Sequence, residues 1–190
     1  MIPLPIVWGT LENLGSVNAV AAARQGFPCG STCEASWCCH RAVPIAPEEV
    51  EILAQAVRTL PTDRFQQVHA QIEAWHAATG LNPGAPDYKA ATRLGVVGLA
   101  TLASGLPAAP CPLLSSADGR GRCLVYDARP AECRMHCAMG PEACQPAPKA
   151  PKLQILDVRK IRWRLHAEFG LAPTGLLAVE LRGRLQLALG

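Results

Sequence analysis

Nine cysteines lie between positions 29 and 144, in two dense groups: Cys29, Cys33, Cys38 and Cys39, then Cys111, Cys123, Cys133, Cys137 and Cys144. Ionised cysteine is a soft sulfur donor, suited to zinc, Cu(I) and iron–sulfur clusters. The first group places four such donors within eleven residues, in a stretch rich in Gly, Ser, Thr and Glu. That spacing can wrap a tetrahedral thiophilic ion or an iron–sulfur cluster. The competing account, cysteine as a small core hydrophobe, fits a polar loop poorly. Nine is also odd, so complete disulfide pairing would leave one thiol over, whereas a metal site can share or spare a sulfur. Cys38 and Cys39 are adjacent and point in divergent directions in most backbone conformations, which favours two centres over one. The whole set allows two four-thiolate centres with one thiol to spare, or a single cluster with shared sulfurs.

Other candidate ligands carry less weight. His40 follows the cysteine pair and His136 precedes Cys137, so each is placed to ligate or to hydrogen-bond a ligand. His69, His76 and His166 fall on predicted helices without ligand-like neighbours and read as ordinary histidines. Arg159, Lys160, Arg162 and Arg164 read as a solvated helix face, with an anionic partner as the sharper alternative. No Gly-rich phosphate loop, Ser-centred nucleophile elbow or His-Glu-x-x-His is present, so no motif beyond the cysteines argues for catalysis.

Composition narrows the setting. A chain of 190 residues, 49% hydrophobic and 17% charged, can bury a sizeable core and has the size of one domain. A net charge of +3 with dispersed basic residues offers no footprint for nucleic acid. The amino terminus, Met-Ile-Pro-Leu-Pro-Ile-Val-Trp, has no Lys or Arg ahead of its apolar residues and does not read as an export signal. The longest apolar stretch, Leu94 to Ala103, is about half the length a membrane span needs. The expected setting is therefore the reducing cytoplasm, without a membrane partner, where thiols stay available to metal.

Positioning falls to helices between the cysteine segments. Pro47 suits a first helical position, Glu48 and Glu49 complement the positive end of the dipole, and Val50, Leu53, Ala54 and Val57 recur at helical spacing. After Pro61, Phe65, Val68, Ile72 and Trp75 mark a second helix ending near Gly80, antiparallel to the first. A turn at 82–86 leads to a third helix from about Asp87 to Ser104. Residues 111–126, with Asp118-Gly119 as the turn, read as a small β-hairpin, and Ala131 to Met135 as a helical turn. The proline-rich segment 141–151 reads as an extended linker, and the last forty residues as helices from about Leu153 to Phe169 and from Thr174 to Leu189. The fold expected is a single mainly α domain over 1–190, a small helical domain with irregular cysteine-rich loops and a short β-hairpin, tied by metal.

The ordered set Cys29-Gly-Ser-Thr-Cys33, Cys38-Cys39, Cys111-Pro-Leu-Leu, Asp118-Gly119, Arg122-Cys123-Leu-Val-Tyr126, Arg129-Pro130, Cys133-Arg134 and Cys144 resembles the YkgJ-type cysteine-cluster family. Members of that family are zinc- or iron-chelating CxxCxxCC domains, and flagellin lysine methylase is a more distant relative. The resemblance covers most of the chain and is specific as a set. It implies eight family cysteines, here Cys29, Cys33, Cys38, Cys39, Cys111, Cys123, Cys133 and Cys144, with Cys137 as an extra thiol. Two departures stand out: the gap between Cys33 and the pair is longer than the family's two residues, and the family is more often polar at position 137.

The function expected is that of a metal-binding protein holding an iron–sulfur cluster or zinc through cysteine thiolates, in redox or protein-modification chemistry. Metal ions are its expected partners, with a protein substrate or partner in addition if the chemistry is protein modification. The alternatives are a zinc-stapled protein-interaction module and a thiolate carrier for soft metal ions. Whether the chain is an enzyme is not decided by these motifs.

Overall fold

The computed structural model describes residues 37–116, 121–135, 170 and 172–186, together with Gly9 and Ala167. In chain order these form a 3₁₀ turn at Trp37–His40, strand β1 (Pro44–Ile45), helices α1 (Pro47–Arg58), α2 (Thr62–Thr79), α3 (Pro86–Arg93) and α4 (Gly95–Gly105), and a second 3₁₀ turn at Tyr126–Ala128. Helix α5 (Ala131–Met135), strand β2 (Gly175–Leu176) and helix α6 (Leu177–Gln186) follow. The expected mainly helical class is what is observed. The linker at 141–151, the helix from Leu153, the basic group at Arg159, Lys160, Arg162 and Arg164, and His166 lie outside the described residues.

Helix α1 begins as its residues dictate, with Pro47 in the first turn beside Glu48 and Glu49. Its inward face, Val50, Leu53, Ala54 and Val57, is buried. Helix α2 ends on Gly80, whose φ of 67° is left-handed and whose N–H donates to the His76 carbonyl, a stop that a residue with a Cβ would strain.

The single third helix expected from Asp87 to Ser104 is broken in two. Gly95 adopts a φ of 61°, which ends α3 and turns the chain into α4. Gly98 then lets α4 close on α3, because a Cβ there would collide with the Ala91 carbonyl and the Leu94 side chain. Apolar periodicity runs through the break without marking it.

Strand pairing also differs from expectation. At 111–126 the hairpin reduces to one antiparallel bridge, Leu114 with Cys123. It is framed by Ser115 N–H to the Arg122 carbonyl at 2.8 Å and Leu124 N–H to the Leu113 carbonyl at 2.7 Å. The chain coils into the 3₁₀ turn at Tyr126 before a second bridge can form, and the turn bearing Asp118-Gly119 lies outside the described residues. The two-stranded sheet is instead long-range: β1 pairs antiparallel with β2, Pro44 opposite Leu176 and Ile45 opposite Gly175. The helix expected from Thr174 accordingly starts only at Leu177, since 175–176 are used as strand.

Helix α6 organises the interior. Leu177, Leu181 and Leu185, spaced by four, enter a cluster with Ile45, Val50, Leu53, Val57, Val68 and Ile72. The neighbouring Leu176, Ala178 and Val179 enter a second cluster with Trp75, Tyr88 and Leu99. Helices α1 and α2 touch, yet each packs more extensively on α6 than on the other, so the expected helix pair is closed by a third member. Polar ties follow the same pattern. Tyr88 donates to Glu180 at 2.6 Å and accepts from the Leu176 N–H at 3.1 Å, and Arg182 grips Glu73 with two bonds of 2.7 and 2.8 Å. Among the described residues no helix is long and apolar enough to cross a membrane.

Candidate metal centre

Four cysteines from four separate segments come into one neighbourhood. Cys39 sits in the 3₁₀ turn Trp37–His40, Cys111 at the start of the 111–116 loop, Cys123 on the bridge to Leu114, and Cys133 in α5. The first two segments are joined by backbone: the Cys111 N–H donates to the Cys39 carbonyl at 2.6 Å, and the Ala109 N–H to the His40 carbonyl at 3.3 Å. Cys111 and Cys123 both pack against the apolar cluster of α1, α2 and α6.

The thiols feel one another. Burial pushes the Cys111 thiol well up, and the charges that Cys123 and Cys39 would carry push it further. Burial raises Cys123 to about 11, with Cys39 adding to the effect and the Arg129 guanidinium opposing it. Cys133 is raised by burial first and then by Cys111, Cys123 and Cys39 together. Every pair among the four thus lies within electrostatic reach. Two sulfurs are also prepared for negative charge: the backbone N–H of Leu113 points at Cys111 and that of Val125 at Cys123, each favouring the thiolate.

Buried polar side chains fix three of these segments, two of them to the helical frame. Gln71, 8% exposed on α2, donates to the Pro112 and Leu114 carbonyls at 3.3 and 3.0 Å and so fixes the loop that follows Cys111. Arg134, 7% exposed, donates from Nε to the Arg129 carbonyl at 2.6 Å and from Nη2 to the Asp127 carbonyl, tying α5 to the turn after Cys123. Arg129 itself stacks 3.5 Å over the Tyr126 ring and donates to the Tyr126 carbonyl, a structural role. Its charge also favours ionisation of Cys123 and Cys133. Glu49, 4% exposed, spans two elements. Its Oε2 accepts from the Ala46 N–H at 2.9 Å, and its Oε1 from the Ala131 N–H at 2.7 Å. Since Ala46 has no side-chain oxygen, the first bond is half of a capping box.

In the sequence Glu49 stands out only as a complement to the helix dipole and Arg134 only as a neighbour of the cysteines, and Gln71 does not stand out at all. A usable signal existed for Gln71. It falls between Val68 and Trp75 on the buried stripe of α2, where a polar residue requires a partner.

Glu49 makes stability depend on pH. Burial raises its pKa from 4.5 to about 7, outweighing the two N–H bonds that lower it. The folded chain therefore binds a proton that the unfolded chain has released, and this contribution is present below the unfolded pKa and lost as pH rises through the folded one. Between about pH 5 and 8, Glu49 should subtract about 3 kcal/mol from stability. Denaturant unfolding at a series of pH values should show this slope in the wild type and a flatter one in Glu49→Gln. Equal slopes would show that the carboxyl does not titrate there.

Cys29, Cys33, Cys137, Cys144 and His136 lie outside the described residues, as does the side chain of Cys38. Among the described residues no group of three or more His, Cys, Asp or Glu side chains has the geometry to hold a metal ion. Comparison of the chain with protein-family models, with curated proteins and with solved structures finds no match. The chemistry of the residues is thus what a functional reading must rest on. His69 and His76 stand on α2, and His76 Nδ1 is bonded to the Leu81 carbonyl, an arrangement that anchors the helix end.

Proposed function

We propose that the chain is a cysteine-cluster metalloprotein of the reducing cytoplasm, whose thiolates hold an iron–sulfur cluster or zinc, in redox or protein-modification chemistry. The observation that carries this reading is the meeting of Cys39, Cys111, Cys123 and Cys133, brought from four segments into mutual electrostatic reach. Sulfur donors that oppose one another's ionisation gain most from a shared cation, which replaces several protons with one counter-charge. The chemistry of the donors, though not a ready-made coordination geometry, suits a thiophilic ion: all sulfur, half-buried, with backbone N–H groups aimed at two of the four. Cys29, Cys33, Cys38 and Cys144 would complete the ligand set implied by the YkgJ-type resemblance.

A bound iron–sulfur cluster would supply electron transfer there, and zinc a cross-link or Lewis acidity. The chain's own contribution is to hold the sulfurs in place through Glu49, Gln71 and Arg134. Arg129 offsets negative charge beside Cys123 and Cys133. Packing of Cys111 and Cys123 on the apolar cluster favours a resident ion over one in transit.

Elemental analysis of protein purified anaerobically tests the proposal, with the absorption spectrum recorded on the same sample. Iron with acid-labile sulfide and a visible charge-transfer band identifies the cluster; stoichiometric zinc without colour identifies the alternative. Protein that is metal-free as isolated, and that takes up neither ion when reconstituted under reducing conditions, would refute the reading.

A further inference from the structure

The group that joins the helical frame to the thiols is Glu49. One of its oxygens closes the first turn of α1 on Ala46, and the other accepts the N–H of Ala131, 82 residues further along the chain. Ala131 opens α5, a helix of five residues whose third is Cys133. So short a helix has little stability of its own. From outside it is held by packing of Ala131 in the cluster shared by α1, α2 and α6, and by the buried bond from Glu49, which becomes charge-assisted, hence among the stronger kind, as the carboxyl ionises around pH 7 and above.

We infer that Glu49 is the positioning residue of the thiol cluster: its carboxylate clamps the start of α5 to the start of α1 and thereby sets Cys133 against Cys39, Cys111 and Cys123. This deepens the metalloprotein reading and rests on it for its functional meaning. Both carboxylate oxygens are needed at once, because each faces an N–H donor. An amide in their place offers only one acceptor, and its NH₂ would face a backbone N–H. Glu49→Gln therefore keeps the size of the side chain and loses one of the two bonds. Ala131→Pro breaks the same bond from the other end, at a first helical position where proline is well tolerated.

The first measurement needs no metal. In reduced, metal-free protein, the rate at which an alkylating reagent modifies Cys133 reports how often α5 opens, and Cys123 in the same sample is the internal reference. Both variants should raise the Cys133 rate about tenfold or more while leaving Cys123 near its wild-type rate. Gly98→Ala, which disturbs the α3–α4 contact away from the thiols, should raise the two rates together if it raises either.

The second measurement titrates cobalt(II), a spectroscopic stand-in for zinc, into wild type and variants. Affinity should fall about 10- to 100-fold in Glu49→Gln and Ala131→Pro, with a weaker sulfur-to-cobalt charge-transfer band. Unchanged protection of Cys133 in both variants would overturn the inference. So would a loss of cobalt affinity that Gly98→Ala reproduces at equal destabilisation. Selective exposure of Cys133 in the two variants, with a wild type that protects Cys133 yet binds no cobalt, would uphold the clamp and count instead against the metal reading.

Discussion

Cys133→Ser and Cys123→Ser should each release most of the bound metal and lower the melting temperature, whereas Cys137→Ser should leave most of the metal in place. Serine nearly preserves the size of cysteine but substitutes a hard, rarely ionised oxygen for a soft sulfur, so the change falls on ligation more than on packing. Cys123 and Cys133 belong to the four thiols that act on one another, and both are half-buried, which means that a cation lost there leaves no easy replacement from solvent. Cys137 is the thiol that the family resemblance does not require. With Arg134 and His136 as sequence neighbours, it is the candidate for a spare or exchange-competent sulfur. Metal content per chain and thermal unfolding of the three variants decide the matter. A loss from Cys137→Ser as large as that from Cys133→Ser would mean that all nine sulfurs serve one shared cluster.

Exhaustive chelation under reducing conditions should loosen the fold, and the same physics gives its scale. Structural zinc sites bind with roughly 10–16 kcal/mol, and a whole domain is stable by only about 5–15 kcal/mol. The loss should not be uniform. The helices α1, α2 and α6 supply most of a cluster of aliphatic side chains, to which α5 and the loop from Cys111 add only Leu113, Val125, Ala128 and Ala131 at its edge, together with a handful of polar bonds. Limited proteolysis of the chelated protein should therefore cut within 109–135 first, alongside a fall in melting temperature and some loss of helical signal. If melting temperature, helical signal and protease resistance all survive chelation unchanged, metal is not structural here.

The helices were legible because their cues are local. Pro47 with Glu48 and Glu49, and Gly80 at the end of α2, act within one turn of chain and are visible in the sequence. The break at Gly95 was not, since a glycine inside an apolar run looks the same whether it continues a helix or reverses it. Nor was the pairing of 44–45 with 175–176: two-residue strands have no periodicity, and their partner is chosen by where α6 docks. For the site, the residue type was legible and the grouping only partly so. The thiols of Cys39, Cys111, Cys123 and Cys133 stood out by chemistry, but Glu49, Gln71 and Arg134 hold their segments through contacts that span between five and 82 residues.

The place of α6 has a consequence for how the protein is made. The Arg58 side chain at the end of α1 bonds to the carbonyl of Arg184, 126 residues later, and among the described residues the strand that follows the Cys39 turn pairs with residues 175–176 alone. Neither aliphatic cluster can close until that last helix has left the ribosome. Translation at about 5–20 residues per second leaves the early cysteines without their frame for several seconds at least. During that interval their sulfurs are open to oxidation, to mispairing and to whatever ion is most abundant. Correct filling of such a site is then a task for the completed chain, and a nascent chain held short of residue 177 should be the most oxidation-sensitive form of the protein.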